Sequence, residues 1–160
     1  MSGLDKLDHP GDKLDHPGDK LDHPGDKLDP PEIVGTRVTH RRYVPYSHAH
    51  YAGNLVDGAY SLGLFGDVAT ELCIRTDGDE GLFASYADVQ FRAPVRAGDC
   101  LEVTAELLEV GRRSRRIGFR VYVVARGAAT ADRPGAAEVL DPPVLATEAT
   151  GTVVVPAREV

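Results

Sequence analysis

Two rhythms of apolar and polar positions run through the chain after residue 32. Residues 33–44, IVGTRVTHRRYV, are rich in β-branched side chains and roughly alternate, which predicts a first strand. Residues 46–53, YSHAHYAG, read as a loop. From 54 to 74, NLVDGAYSLGLFGDVATELCI, apolar residues fall on every side, which predicts one helix buried almost all round. Such a helix is roughly 30 Å long. A polar turn at 77–81 follows, and then four strand-like segments at 82–91, 100–110, 117–125 and 144–155. They are separated by 94–99, by a turn at 111–116 and by a Pro- and Gly-rich insertion at 127–143. The predicted order is β-α-β-β-β-β.

Residues 4–31 obey a different rule, because LDHPGDK recurs in phase three times before decaying to LDPP. Each copy offers a single Leu as its large apolar group, too little burial to offset the entropy of ordering. A Pro-Gly in every copy also rules out a continuous helix, despite the seven-residue period. The expectation is a disordered tail over 1–31 and a single domain over 32–160. In that domain one long helix accompanies about five antiparallel strands, the α+β arrangement known as the hotdog fold, in which a sheet wraps a central helix. A ferredoxin-like fold needs a second helix between the later strands, and the only spare segment, 127–143, is unsuited to one.

Composition narrows the function. The chain has 160 residues and a formal charge of −7. Eight Asp and all four Lys lie in the first 31 residues, leaving −3 for the remainder, whose basic residues are 14 Arg. Without a basic field, binding to nucleic acid is not expected. No apolar run approaches membrane-spanning length, and MSGLDKLDHP lacks the features of an export signal, so a cytoplasmic protein with no membrane partner is predicted. Cys73 and Cys100 are isolated among apolar neighbours and read as reduced core thiols.

The segment HAHYAGNLVDGAYSLGLFGDVATEL, residues 48–72, places polar groups where a core helix should have none. Asn54 suits an N-cap, with Asp57 three positions later as in a capping box. The N–H groups of residues 55–58 would then form an anion site for a carbonyl oxygen turning into an enolate. Gly53 and Gly58 would allow a substrate close to the backbone. Asp67 and Glu71 lie four apart on a largely apolar helix, and read either as partners of Arg or as functional carboxylates with raised pKa values. Asp57 and Glu71 share one stripe yet stand about 21 Å apart along the axis. A two-fold dimer with antiparallel helices would bring one helix start to the other helix's middle. His48 and His50 flank the helix start. Neither belongs to a metal motif, since HxxxH, HExxH and CxxC are all missing, so no metal is expected. There is no GxSxG for a serine nucleophile. The turn GRRSRR sets Arg113, Ser114, Arg115 and Arg116 between two strands, either as a solvated hairpin or as a site for the phosphates of a nucleotide-bearing thioester.

These residues resemble hotdog enzymes acting on acyl-CoA, and the string HYAGNLVDGAYSLGLFGDVATELCIRTDGDEGLFASYADVQFRAPVRAGD is similar in particular to 3-aminobutyryl-CoA and β-alanyl-CoA ammonia lyases. The likeness covers roughly 38–124 and is most specific in GNLVDGA, LFGDVATEL, DGDEGLF and APV-AGD. Ala52 departs from the family's HYGGN. The resemblance implies reversible loss of ammonia from a β-aminoacyl-CoA to give an enoyl-CoA such as crotonyl-CoA, as in lysine fermentation. The thioester would acidify the α-hydrogen, helix-start amides would stabilise the enolate, and one carboxylate would take the proton while another holds the leaving ammonium. Asp57 with Asp67 or Glu71 are the candidates, with His50 and Glu80 in reserve. Coenzyme A enters as part of the substrate, no other cofactor is implied, and a homodimer or dimer-based oligomer is expected. An acyl-CoA thioesterase using Asp67 or Glu71, or a non-catalytic acyl-CoA-binding protein, remains open on the same fold.

Overall fold

The computed structural model describes residues 30–157. The repeat tail therefore lies outside the described residues, apart from its last two prolines, which open a short helix α1 (Pro30–Ile33). Strand β1 (Arg37–Tyr43) is followed by two 3₁₀ turns and a small hairpin of β2 (Ala49–Tyr51) and β3 (Leu55–Val56) where a plain loop was expected. Then come helix α2 (Gly58–Asp77) and strands β4 (Leu82–Phe91), β5 (Cys100–Val110), β6 (Ser114–Gly127) and β7 (Ala137–Val154). The five long strands form one antiparallel sheet in the order β1-β5-β6-β7-β4, with α2 on its inner face. This is the hotdog arrangement.

Alternation explains the sheet. On β5 the residues Leu101, Val103, Ala105 and Leu107 are buried, and on β6 Ile117, Phe119, Val121 and Val123 are buried, each set two apart and facing the helix. Helix α2 answers with Leu64, Phe65, Val68, Ala69, Leu72 and Cys73 at three- and four-residue spacing. Phe65 stacks on Phe119 with ring centroids 4.9 Å apart, and Phe83 closes on the same ring at 5.8 Å. Both cysteines are free. Burial pushes the Cys73 thiol up to about 11, so it serves as a packing group.

Three expectations are corrected. The helix starts at Gly58 rather than 54, because Gly53 (φ 73°) and Asn54 (φ 60°) form a left-handed turn and the Val56 N–H is bonded to Val95 O. Nor is the helix buried all round: Ala59, Gly63, Asp67, Thr70, Ile74 and Arg75 are exposed, since one sheet covers only one side. The last strand begins at Ala137, inside the insertion. Val123 pairs with Val144 and Ala125 with Val139, so Pro142 and Pro143 fall in a break of register where no ladder donor is required.

The helix ends on an ion pair. Arg115, wholly buried, donates from Nη2 to Asp77 Oδ1 at 2.6 Å and from Nε to Oδ2 at 3.0 Å, while its Nη1 reaches the carbonyls of Gly111 and Ser114. This fork ties the last turn of α2 to the β5–β6 turn. Removing one partner strands a buried charge, so Asp77→Ala is expected to lose about 3–5 kcal/mol, read as a lower urea midpoint at unchanged slope. The double change Asp77→Leu with Arg115→Met, which buries no charge, should lose far less.

Candidate active site

At the start of α2, Asp57 rather than Asn54 is the N-cap. Its Oδ1 accepts from the Tyr60 N–H at 3.0 Å, and its Oδ2 faces His50 Nδ1 at 3.6 Å. Asn54 instead accepts the Ala97 N–H on its carbonyl oxygen, a structural role. The helix-start donors are thus those of Gly58 and Ala59, not of residues 55–58, since Tyr60 is taken by the cap. Gly58 opens on a cavity of about 400 Å³ lined also by Tyr51, Asp57, Ser61, Phe91 and Arg92, among others. Gly58 is needed for close approach, because a Cβ there would fall 2.5 Å from the Phe91 ring. Gly53 serves differently: a Cβ would meet nothing within 4 Å, and only its positive φ calls for glycine. A buried hydroxyl pair, Thr147 Oγ1 to Ser61 Oγ at 3.2 Å, lies under the cavity. Neither Ser61 nor Phe91 stood out in the sequence as a site residue.

Asp67 and Glu71 share a face of α2, and that face meets β1. There His40 Nε2 hydrogen-bonds Glu71 Oε2, and Arg75 donates from Nε and Nη2 to Glu71 Oε1 at 2.8 and 2.7 Å. The His40 hydrogen bond first, and Arg75 second, hold Glu71 below the usual carboxylate range. What this gives to the attachment of β1 is complete above that range and is lost as pH falls through the lowered value. Asp67 is exposed rather than buried. It faces Arg42, whose Nε also contacts Tyr60 Oη at 3.4 Å. Asp67, Arg42 and His40 line a smaller cavity of about 290 Å³. His40 and Arg42 went unremarked in the sequence, although they alternate with the buried Val38 on the inward side of β1, a signal of period two. The rise along α2 places Asp57 and Asp67 about 15 Å apart, so one small acyl group in one chain cannot touch both.

The arginine turn is split by the fold. Arg115 is consumed by Asp77 and cannot face a ligand, which corrects its reading as a phosphate contact. Ser114 opens β6, and the Arg113 carbonyl accepts the Val155 N–H. The side chains of Arg112, Arg113 and Arg116 are exposed, Arg116 loosely opposite Glu109 at 3.8 Å. The turn sits at the far end of α2 from Asp57. Beside it, Glu80, Gly81, Leu82, Phe83 and Thr70 line another cavity, of about 340 Å³, at the start of β4.

Comparison with known proteins agrees with this geometry. Residues 53–127 match the family model described as the thioesterase superfamily. A 3-aminobutyryl-CoA ammonia lyase of Acetoanaerobium sticklandii is 52% identical over 110 residues, which cover 68% of this chain and 85% of that one. Among solved structures, β-alanyl-CoA:ammonia lyase from Clostridium propionicum superimposes with a TM-score of 0.73 at 36% identity, covering 79% of this chain and 94% of that one. A hexameric hotdog thioesterase of Campylobacter jejuni, at 20% identity and a TM-score of 0.59 over 72% of this chain and 79% of that one, shares the fold. At this level of identity and coverage the chain belongs to the hotdog-fold family of 3-aminobutyryl-CoA and β-alanyl-CoA ammonia lyases.

Proposed function

We propose that this protein catalyses the reversible elimination of ammonia from a β-aminoacyl-CoA, with 3-aminobutyryl-CoA and crotonyl-CoA as the first pair to test. The observation that carries the reading is the 52% identity to the 3-aminobutyryl-CoA ammonia lyase. The helix start suits the chemistry. The N–H groups of Gly58 and Ala59, at the positive end of the dipole, are placed to receive the thioester oxygen as it gains charge. Asp57 keeps Oδ2 toward the substrate side and is suited to hold the ammonium, with His50 beside it. Because the thioester is its own electron sink, the reaction calls for no metal or redox group in this reading.

The working unit in this proposal is a two-fold dimer joined through β4. Both edges of the sheet, β1 and β4, lack an outer partner strand among the described residues. Edge β1 carries Arg37, His40, Arg41 and Arg42, the kind of charge that discourages strand addition, whereas β4 reads LFASYADVQF, with Asp88 its only charge. Leu82 and Phe91, at its two ends, are 74% and 59% exposed. Pairing β4 with its copy sets the two α2 helices antiparallel. The partner's Arg113 and Arg116 then come to the helix-start end, where they can meet the phosphates of coenzyme A. A cytoplasmic location agrees with the absence, among the described residues, of a helix long and apolar enough to cross a membrane.

Two experiments test this reading. Incubating the protein with crotonyl-CoA and an ammonium salt should give a thioester heavier by one ammonia, seen by mass spectrometry, and Asp57→Asn should slow its formation by about 100-fold or more. Release of free CoA thiol without the adduct would place the protein among thioesterases instead. Gly58→Ala, which drives a methyl group into the Phe91 ring, should lower kcat/KM at least tenfold while the far-UV spectrum stays unchanged. Wild-type kinetics for that variant would show that the substrate does not lie at the helix start.

A further inference from the structure

A lyase of this kind needs a carboxylate free to take a proton from carbon, and the structure occupies nearly every candidate near α2. Asp57 caps the helix and Glu71 is held by His40 and Arg75, while Asp67, without a hydrogen bond or ion pair among the described residues, stands near Arg42 in the middle of α2, away from both helix ends. Asp77 is paired with Arg115, Asp79 accepts the Gly81 N–H at 2.8 Å, Asp99 is bound by Arg126, and Glu148 by Arg92. Glu80 is also unpaired, and it stands at the end of α2: it is exposed, lines the cavity at the start of β4, and has no ion pair or hydrogen bond among the described residues. The turn that carries it is stiff. Gly81 sits at φ 68°, and a Cβ there would lie 2.6 Å from Val153, so Glu80 projects from a turn with little room to shift.

In its own chain Glu80 is at the wrong end, beyond the C-terminus of a 20-residue helix. Register places it elsewhere in the dimer. Full antiparallel overlap of β4 with a copy of itself would set Leu82 opposite the partner subunit's Phe91 and bring Glu80, two residues before the strand, to the region of the partner subunit's Ala93. Ala93 lines the helix-start cavity together with Asp57, Gly58, Phe91 and Arg92. Charge agrees, because a carboxylate there would face the positive end of α2.

We propose that Glu80 of one protomer is the acid–base residue of the site built on its partner's helix start. This rests on the lyase reading and on β4 pairing. The Glu80 carboxylate takes the α-proton, and the C–H electron pair moves into the thioester to form an enolate held by the Gly58 and Ala59 amides. The enolate then collapses to the α,β double bond as the C–N bond breaks. The C–N electron pair leaves on nitrogen as neutral ammonia, and the proton on Glu80 passes to that ammonia, so the products are enoyl-CoA and ammonium. In reverse, Glu80 protonates the α-carbon.

Complementation tests the assignment. Glu80→Gln and Asp57→Asn homodimers should each form the ammonia adduct at least about 100-fold more slowly than wild type. Glu80→Asp should recover part of the rate, and the thermal midpoint of Glu80→Gln should match wild type. A mixed dimer of the two variants, coexpressed with different tags and purified on both, contains one site with both carboxylates intact and should show about half the wild-type rate per dimer. Wild-type rates for Glu80→Gln, or no recovery in the mixed dimer, would overturn the role of Glu80 and leave the lyase reading standing. A wild-type protein that makes no adduct would overturn both.

Discussion

The fixed length and pitch of α2 against its sheet is the constraint from which the chemistry follows. The helix is pinned at its far end by the Asp77–Arg115 fork and at its start by the Asp57 cap, with Phe65 stacked on Phe119 between them. Two anchors and a packed centre leave it no freedom to slide or turn about its axis. The donors of Gly58 and Ala59, the stripe bearing Asp67 and Glu71, and the turn bearing Glu80 therefore stand at set distances. Those distances are too long for one small acyl group.

A fold with this geometry divides its charges into those that hold the structure and those left for chemistry. Buried or half-buried ion pairs take up Asp77, Asp99 and Glu71, and each is matched by Arg or His with further hydrogen bonds, as a low-dielectric setting requires. The arginine turn shows the same economy. One guanidinium clamps the helix, and its neighbours remain in solvent where an anion can reach them. A separation of some 30 Å between the two ends of α2 becomes an advantage once two copies run antiparallel, because each helix start then lies beside the other's last turn.

Strand Cys100–Val110 was legible to the residue, since alternation on a half-buried strand leaves a period of two that a single sequence displays, and Leu82–Phe91 was legible by its bounding turn residues. The helix was legible as an element but not in its start or its exposed side. Leu55 and Val56 share its apolar character, yet they pair with β2 and the Val56 N–H is bonded to Val95 O, which assigns them to the small hairpin instead of the helix. Pro142 and Pro143 argued against a strand, yet β7 runs through them, because a break of register removes the need for their missing donors.

By itself the sequence determined the order of the long elements, the hotdog class and the family, because periodicity and contiguous motifs are local properties of a chain. Which charges are spent on structure was decided only by the tertiary fold. Asp77 meets Arg115 across 38 positions, and His40 meets Glu71 across 31. Such partners are chosen by the path of the sheet around the helix, and no local pattern records them. The same holds for Glu80, whose lack of an ion pair or hydrogen bond among the described residues is a property of its surroundings and not of its neighbours in sequence.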